Sequence, residues 1–177
     1  MKKVIIILLL FISITSLYKK SSNKEDLIPN NAIRFRIIAN SNSIEDQNIK
    51  IQVRNEVQNK LLTLINDSKS IEETRQIITD NIDTIDEIVK NKLKELNYDK
   101  TYNIKYGDNY FPEKKYKGIT YKSGNYESLI ITLGNGDGDN FWCVLFPPLC
   151  LLESTEEESS EVEYKFFVKE LIDKYVR

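Results

Sequence analysis

Histidine is absent from this 177-residue chain. Its absence removes the side chain that most often serves as a general base near neutral pH and as a metal ligand. Ser-His-Asp and Cys-His catalysis go with it. Cysteine is scarce. Cys143 and Cys150 are the only two, so a Cys₄ zinc site is excluded along with every zinc site built on histidine. There is no excess of positive charge. The chain has 25 basic and 27 acidic side chains and a net charge of −2, which gives no electrostatic footprint for nucleic acid, a ligand that usually needs a basic face. No nucleic-acid motif and no internal repeat stands in its place. The chemistry left is that of carboxylate, lysine and tyrosine, and neither a metal nor a cofactor is expected.

What is present begins with Lys2 and Lys3, followed by an unbroken apolar run from Val4 to Ile12 that extends to Leu17. A membrane-crossing helix needs roughly 20 such residues. A positive start and a run of this shorter length read as an export signal. No Ala-x-Ala cleavage pattern follows, so cleavage and retention as an anchor both stay open. The expected division is a signal peptide or N-terminal membrane anchor at 1–20, a linker at 21–30, a folded domain at 31–152, and an acidic linker with a C-terminal helix at 153–177.

Ile33, Phe35 and Ile37 alternate with arginines, which predicts a strand with one buried face. Ser43 with Asp46 and Ser70 with Glu73 both fit the capping pattern that opens a helix. Ile49, Val53, Val57, Leu61 and Leu64 then recur at helical spacing, as do Ile71, Ile78, Ile82, Ile85, Val89, Leu93 and Leu96, with a break near Asn81. From Tyr102 the period returns to two. Strands are predicted around Tyr102–Tyr106, at Ile119–Tyr121, at Leu129–Leu133 and at Phe141–Phe146, with a turn at Gly107-Asp108. The last two strands flank the glycine-rich stretch Gly134–Asn140 and read as a hairpin. Val162, Phe166, Leu171 and Tyr175 suggest a closing helix. The fold class that follows is α+β: a mostly antiparallel sheet, two long helices packed on one face, and a C-terminal helix.

The glycine stretch is not a phosphate cradle, because the apolar run after it is strand-like and phosphate loops lead into a helix. Asp137 and Asp139 lack the further ligands of a calcium loop. A flexible tip, open to recognition, is the expected role. Cys143 and Cys150 fit either a structural disulfide, which export permits, or two buried thiols. Trp142, Phe146, Pro147 and Pro148 fit core packing or an aromatic docking surface. Asp46, Lys50 and Arg54 lie four apart as a charged stripe, with an Asp46–Lys50 pair worth a few tenths of a kcal/mol.

Two blocks of the chain resemble a known family. The first runs Ile33-Arg34-Phe35-Arg36-Ile37-Ile38-Ala39-Asn40-Ser41, then Glu45-Asp46-Gln47, Lys50 and Val53-Arg54. The second is Tyr110-Phe111-Pro112 followed by Gly134 to Cys150, with Gly136, Gly138, Asp139, Asn140 and the Phe-Pro-Pro turn. Both are similar to stage II sporulation protein R. Asn42 stands where the family pattern leads one to expect an acidic residue, and Phe141 where a tryptophan pair is common.

The resemblance implies a protein made in the forespore of an endospore former and exported into the space between forespore and mother-cell membranes. There it would activate a membrane-embedded aspartic-type peptidase that processes pro-sigma-E, with transient or N-terminal membrane association. On this view the contact regions are Asn40 to Arg54, including Gln47, then Phe111 and Pro112, and Gly134 to Cys150. The competing expectations are an exported hydrolase using carboxylates such as Asp137 and Asp139, and a cell-envelope binding domain.

Overall fold

The computed structural model describes residues 31–116, 119–150 and 161–175. The expected signal or anchor at 1–20, the linker at 21–30 and the acidic stretch before the last helix lie outside them. The elements in chain order are β1 (Ile33–Ile38), α1 (Ile44–Ile65), α2 (Ile71–Asp80), α3 (Ile82–Glu95), β2 (Tyr102–Phe111), β3 (Lys114–Tyr116), β4 (Ile119–Tyr121), β5 (Gly124–Leu133), β6 (Asn140–Phe146) and α4 (Glu161–Tyr175). Four strands form one sheet in the order β2-β5-β1-β6, and β3 and β4 pair separately. The architecture is α+β. β1 runs parallel to β5, while the β1–β6 and β2–β5 ladders are antiparallel.

Local chemistry explains the helices. The Ser43 hydroxyl accepts from the Asp46 N–H at 3.1 Å, and Ser70 does the same for Glu73 at 3.1 Å. Each satisfies a donor that the first helical turn leaves unpaired. The break near Asn81 separates α2 from α3, so the second amphipathic region is two helices. Ile49, Val53, Val57 and Leu61 of α1 pack with Ile78 of α2, Ile85 and Val89 of α3, and Ile33, Phe35 and Ile37 of β1. Burying each of these side chains contributes about 1.5–3 kcal/mol. The helices α1 to α3 thus cover one face of the sheet.

Two expectations are corrected. β5 and β6 do not form a hairpin: β1 lies between them and pairs with both. Ile33, Phe35 and Ile37 are fully buried beneath the helices, and at the centre of the sheet both edges of β1 find backbone partners. Nor does Gly107-Asp108 turn the chain. Both residues sit inside β2, opposite Ser128 and Glu127 in a ladder that runs to Phe111, and the positive φ of Gly107 is absorbed within the strand.

α4 closes the β6 side. Val168 packs with Ala32, Val144 and Leu149, and the Tyr175 ring meets Phe146 edge-on with centroids 5.9 Å apart.

Candidate functional site

Because β1 separates β5 from β6, the glycine-rich connection has to cross the C-terminal end of β1. It does so in close contact. Gly138 N donates to the Ala39 carbonyl at 2.9 Å and Asp137 N to the Asn40 carbonyl at 3.1 Å. Asn135 N donates to Asn40 Oδ1 at 3.1 Å, and Asp139 N to Asn42 Oδ1 at 2.6 Å. The glycines make this approach possible. Gly134 has φ +55°, and a Cβ there would collide with the Asn40 side chain. A Cβ on Gly138 would run into the Ser41 carbonyl. The expected flexible tip is therefore a pinned crossing, held by backbone and side chains of residues 39–42.

Asp46 secures the other side of that turn. Its Oδ2 accepts from Asn40 Nδ2 at 2.8 Å and from Ser41 Oγ at 2.5 Å, and its Oδ1 accepts from Lys100 Nζ at 3.1 Å. The bonds from Asn40 and Ser41 hold the Asp46 carboxyl down at about 2, against the opposing effect of burial. Lys50, also buried, donates to Gln47 Oε1 at 2.6 Å and to the Asp139 carbonyl at 3.1 Å. Burial pushes its ammonium below the usual range, and the nearby Asp139 carboxylate works against that. Gln47 in turn donates to the Ser41 carbonyl at 2.9 Å. Arg54 lies 4.9 Å from the Phe141 ring centroid.

The predicted Asp46–Lys50 pair is thus replaced. Asp46 pairs with Lys100, and Lys50 reaches the glycine crossing. Asp46 and Lys50 both sit beneath the crossing, while Arg54 is half-buried beside Phe141.

A disulfide joins Cys143, in the middle of β6, to Cys150 beyond the strand's end, with Cα atoms 5.5 Å apart. Gln58 of α1 donates to the Cys150 carbonyl at 3.2 Å, tying the segment to the helix face. Phe146, Pro147 and Pro148 are buried. Simple alternation would put Phe146 on the face of Trp142 and Val144. A register shift between Ile33 and Arg34 pairs Phe146 with Ile33 and Val144 with Arg34, so Phe146 joins the helix-side core. It is therefore not an exposed anchor. Pro112 is exposed next to buried Phe111.

Trp142 and Phe111 come together on the opposite face of the sheet, with ring centroids 4.9 Å apart. Arg34 and Arg36 interleave with them. The Arg34 guanidinium is 3.3 Å from the Tyr126 centroid, and that of Arg36 is 4.6 Å from Trp142.

A family model for stage II sporulation protein R matches residues 29–156. The chain is also 40% identical to stage II sporulation protein R of Bacillus subtilis (strain 168) over 161 residues, which cover 88% of this chain and 72% of that protein. The chain belongs to the stage II sporulation protein R family. No solved structure matches it.

In this member of the family, the two sequence blocks that carry the resemblance meet at the crossing of the glycine segment over residues 39–42. The departure at Asn42 is chemically mild, because its Oδ1 serves as an acceptor for Asp139 N, a role that a carboxylate fills equally well. Asp137 and Asp139 are exposed on the pinned crossing. Among the described residues, no three His, Cys, Asp or Glu side chains lie close enough together to hold a metal ion. Glu127 accepts from Arg75 Nε at 2.8 Å and from Tyr106 OH at 2.6 Å.

Sequence reasoning missed the cationic face. Arg34 and Arg36 read as the solvent side of a strand, and nothing near them in the chain announces that Phe111, Tyr126 and Trp142 arrive over them. The available signal was arginine at two of the three outward positions of a strand that proves central, with Ile38 at the third.

Proposed function

We propose that this chain is a signalling ligand that works outside the cytoplasm and makes or breaks no covalent bond itself. It is exported from the forespore into the space between the two membranes. It binds the outward-facing part of the membrane-embedded aspartic-type peptidase that processes pro-sigma-E, and it favours the active state of that peptidase. A ligand does this only by binding the active state more tightly than the inactive one. Membership of the stage II sporulation protein R family supports the reading.

The observation that carries it is how the carboxylates are used. Asp46 is engaged by Asn40, Ser41 and Lys100, and Glu127 by Arg75 and Tyr106. Asp137 and Asp139 stand exposed on a backbone that is tied down. A general acid or base has to be within reach of a substrate proton and hold a pKa near the working pH. Engaged and scattered carboxylates instead favour a rigid surface. The hydrolase reading gains no support from this arrangement.

The test is co-expression of the peptidase and its precursor, with and without this chain directed across the membrane. Processing is expected only when the chain is present and exported. Equal processing in its absence would defeat the proposal.

A further inference from the structure

The sheet face turned away from α1–α3 carries cations, and among the described residues no ion pair engages Arg34 or Arg36. Register places Lys105, Ile130, Arg36 and Trp142 side by side across the four strands, with Arg34 in the neighbouring row between Ser128 and Val144. The acidic residues Asp108 and Glu127 alternate to the helix-bearing face, where Glu127 pairs with Arg75. Arg34 is only 4% exposed, and the Nε atoms of both Arg34 and Arg36 are buried without a hydrogen-bond partner. Lys114 from β3 places its ammonium 5.4 Å from the centroid of the same Trp142 ring that Arg36 covers.

Aromatic faces attract these cations but accept none of the directed hydrogen bonds a guanidinium offers. Burial pushes both arginines below their usual range; at Arg34 the Tyr126 side chain works partly against it, while Arg36 has no such compensation. A charge withdrawn from water without an anionic partner is costly, so the free protein holds a recognition element that is only half complete.

We propose that this face docks an acidic polypeptide segment of another protein, with an Asp or Glu carboxylate received by Arg36, Trp142 and Lys114 at the rim, and Arg34 reinforcing the positive field behind. A carboxylate matches the planar fork of a guanidinium and takes two parallel hydrogen bonds from it. The recessed position favours a side chain over a flat anionic bilayer, because a carboxylate on a flexible stem reaches between rings while a membrane surface meets only the outermost lysines. The inference holds whichever protein supplies the segment.

Trp142 is the single tryptophan of the chain, so its emission reports on the site without a label. The purified full chain is titrated at low salt with hexaglutamate, with hexaglutamine and with phosphatidylglycerol vesicles. Hexaglutamate should change the emission saturably, salt should weaken the effect, and hexaglutamine should do nothing. Arg36→Gln should weaken binding about tenfold, the effect of losing a charge-assisted pair. Lys90→Gln on the exposed side of α3 should leave it unchanged. Circular dichroism checks folding. If Arg36→Gln does not fold, Lys114→Gln replaces it, with an expected loss of about threefold at this exposed rim position. No saturable response to hexaglutamate, or equal binding by wild type and the site variants, would overturn the proposal. A response to the vesicles without one to the peptide would overturn the polypeptide in favour of a membrane.

Discussion

Asp46 is the third residue of α1, the position whose carboxylate in a capping box reaches back to the N-cap N–H. Here it does something else. The Ser43 N–H goes to Ser41 Oγ at 3.2 Å, which frees the carboxylate to hold Asn40 and Ser41. One side chain therefore starts the helix dipole favourably and fixes the turn that the glycine crossing rests on.

Replacing it exposes the cost. Asp46→Asn should lower stability at neutral pH by about 1–3 kcal/mol, because buried donors lose a charged acceptor. The pH dependence follows from the depressed folded value. A carboxyl whose pKa falls from 3.8 to about 2 on folding contributes stability above its unfolded value. That contribution fades as pH falls through about 2. Urea unfolding at a series of acid pH values should show wild type and Asp46→Asn converging at the acid end. A constant gap down to the lowest pH would show that the carboxylate charge is not the source.

At the scale of elements, the glycine crossing is the connection most sensitive to a single methyl group. Gly138→Ala would drive a Cβ into the Ser41 carbonyl and the Ala39 side chain. The expected penalty is about 1–3 kcal/mol, typical of overpacking. Amide exchange at Asn135, Asp137 and Asp139 should quicken more than at Ile131 in the body of β5. Uniform acceleration across β5 and the crossing would mean that the loop is not a separate latch.

The elements also show where local reading ends. The two serine caps, the span of α1 and the break at Asn81 were legible, because helices are encoded by residues three and four apart. The strand character of Ile33–Ile38 was legible from its period of two, but its place in the sheet was not. Its partners Ile130 and Trp142 are about a hundred residues away, and only their pairing with β1 separates β5 from β6. Core packing was one of the two readings for Phe146, but the face it packs on was hidden for a related reason: the register shift at Ile33/Arg34 cancels one step of alternation. Lys50 read as half of a helical pair, and its bond to the Asp139 carbonyl belongs to the crossing rather than to the helix. The sequence blocks themselves were visible, while their contact at residues 39–42 depends on a topology no local pattern contains.

On the scale of the whole molecule, the two faces of the sheet divide the labour. The helix side supplies the core, and the disulfide together with Gln58 anchors the end of β6 to it. The opposite side carries arginines between rings, and among the described residues no ion pair engages them. A body stabilised from one side can leave the other incomplete, ready for a partner to finish.

The central claim is that the chain acts by occupancy. The decisive measurement titrates the purified full chain onto the outer side of vesicles that hold a known amount of the peptidase, with pro-sigma-E enclosed on the inner side, and reads the rate of precursor cleavage. A ligand predicts a rate that rises with added chain, saturates once the peptidase is occupied, and is zero in vesicles without the peptidase. Cleavage in peptidase-free vesicles, or the full rate from a trace of chain far below the amount of peptidase, would contradict the account.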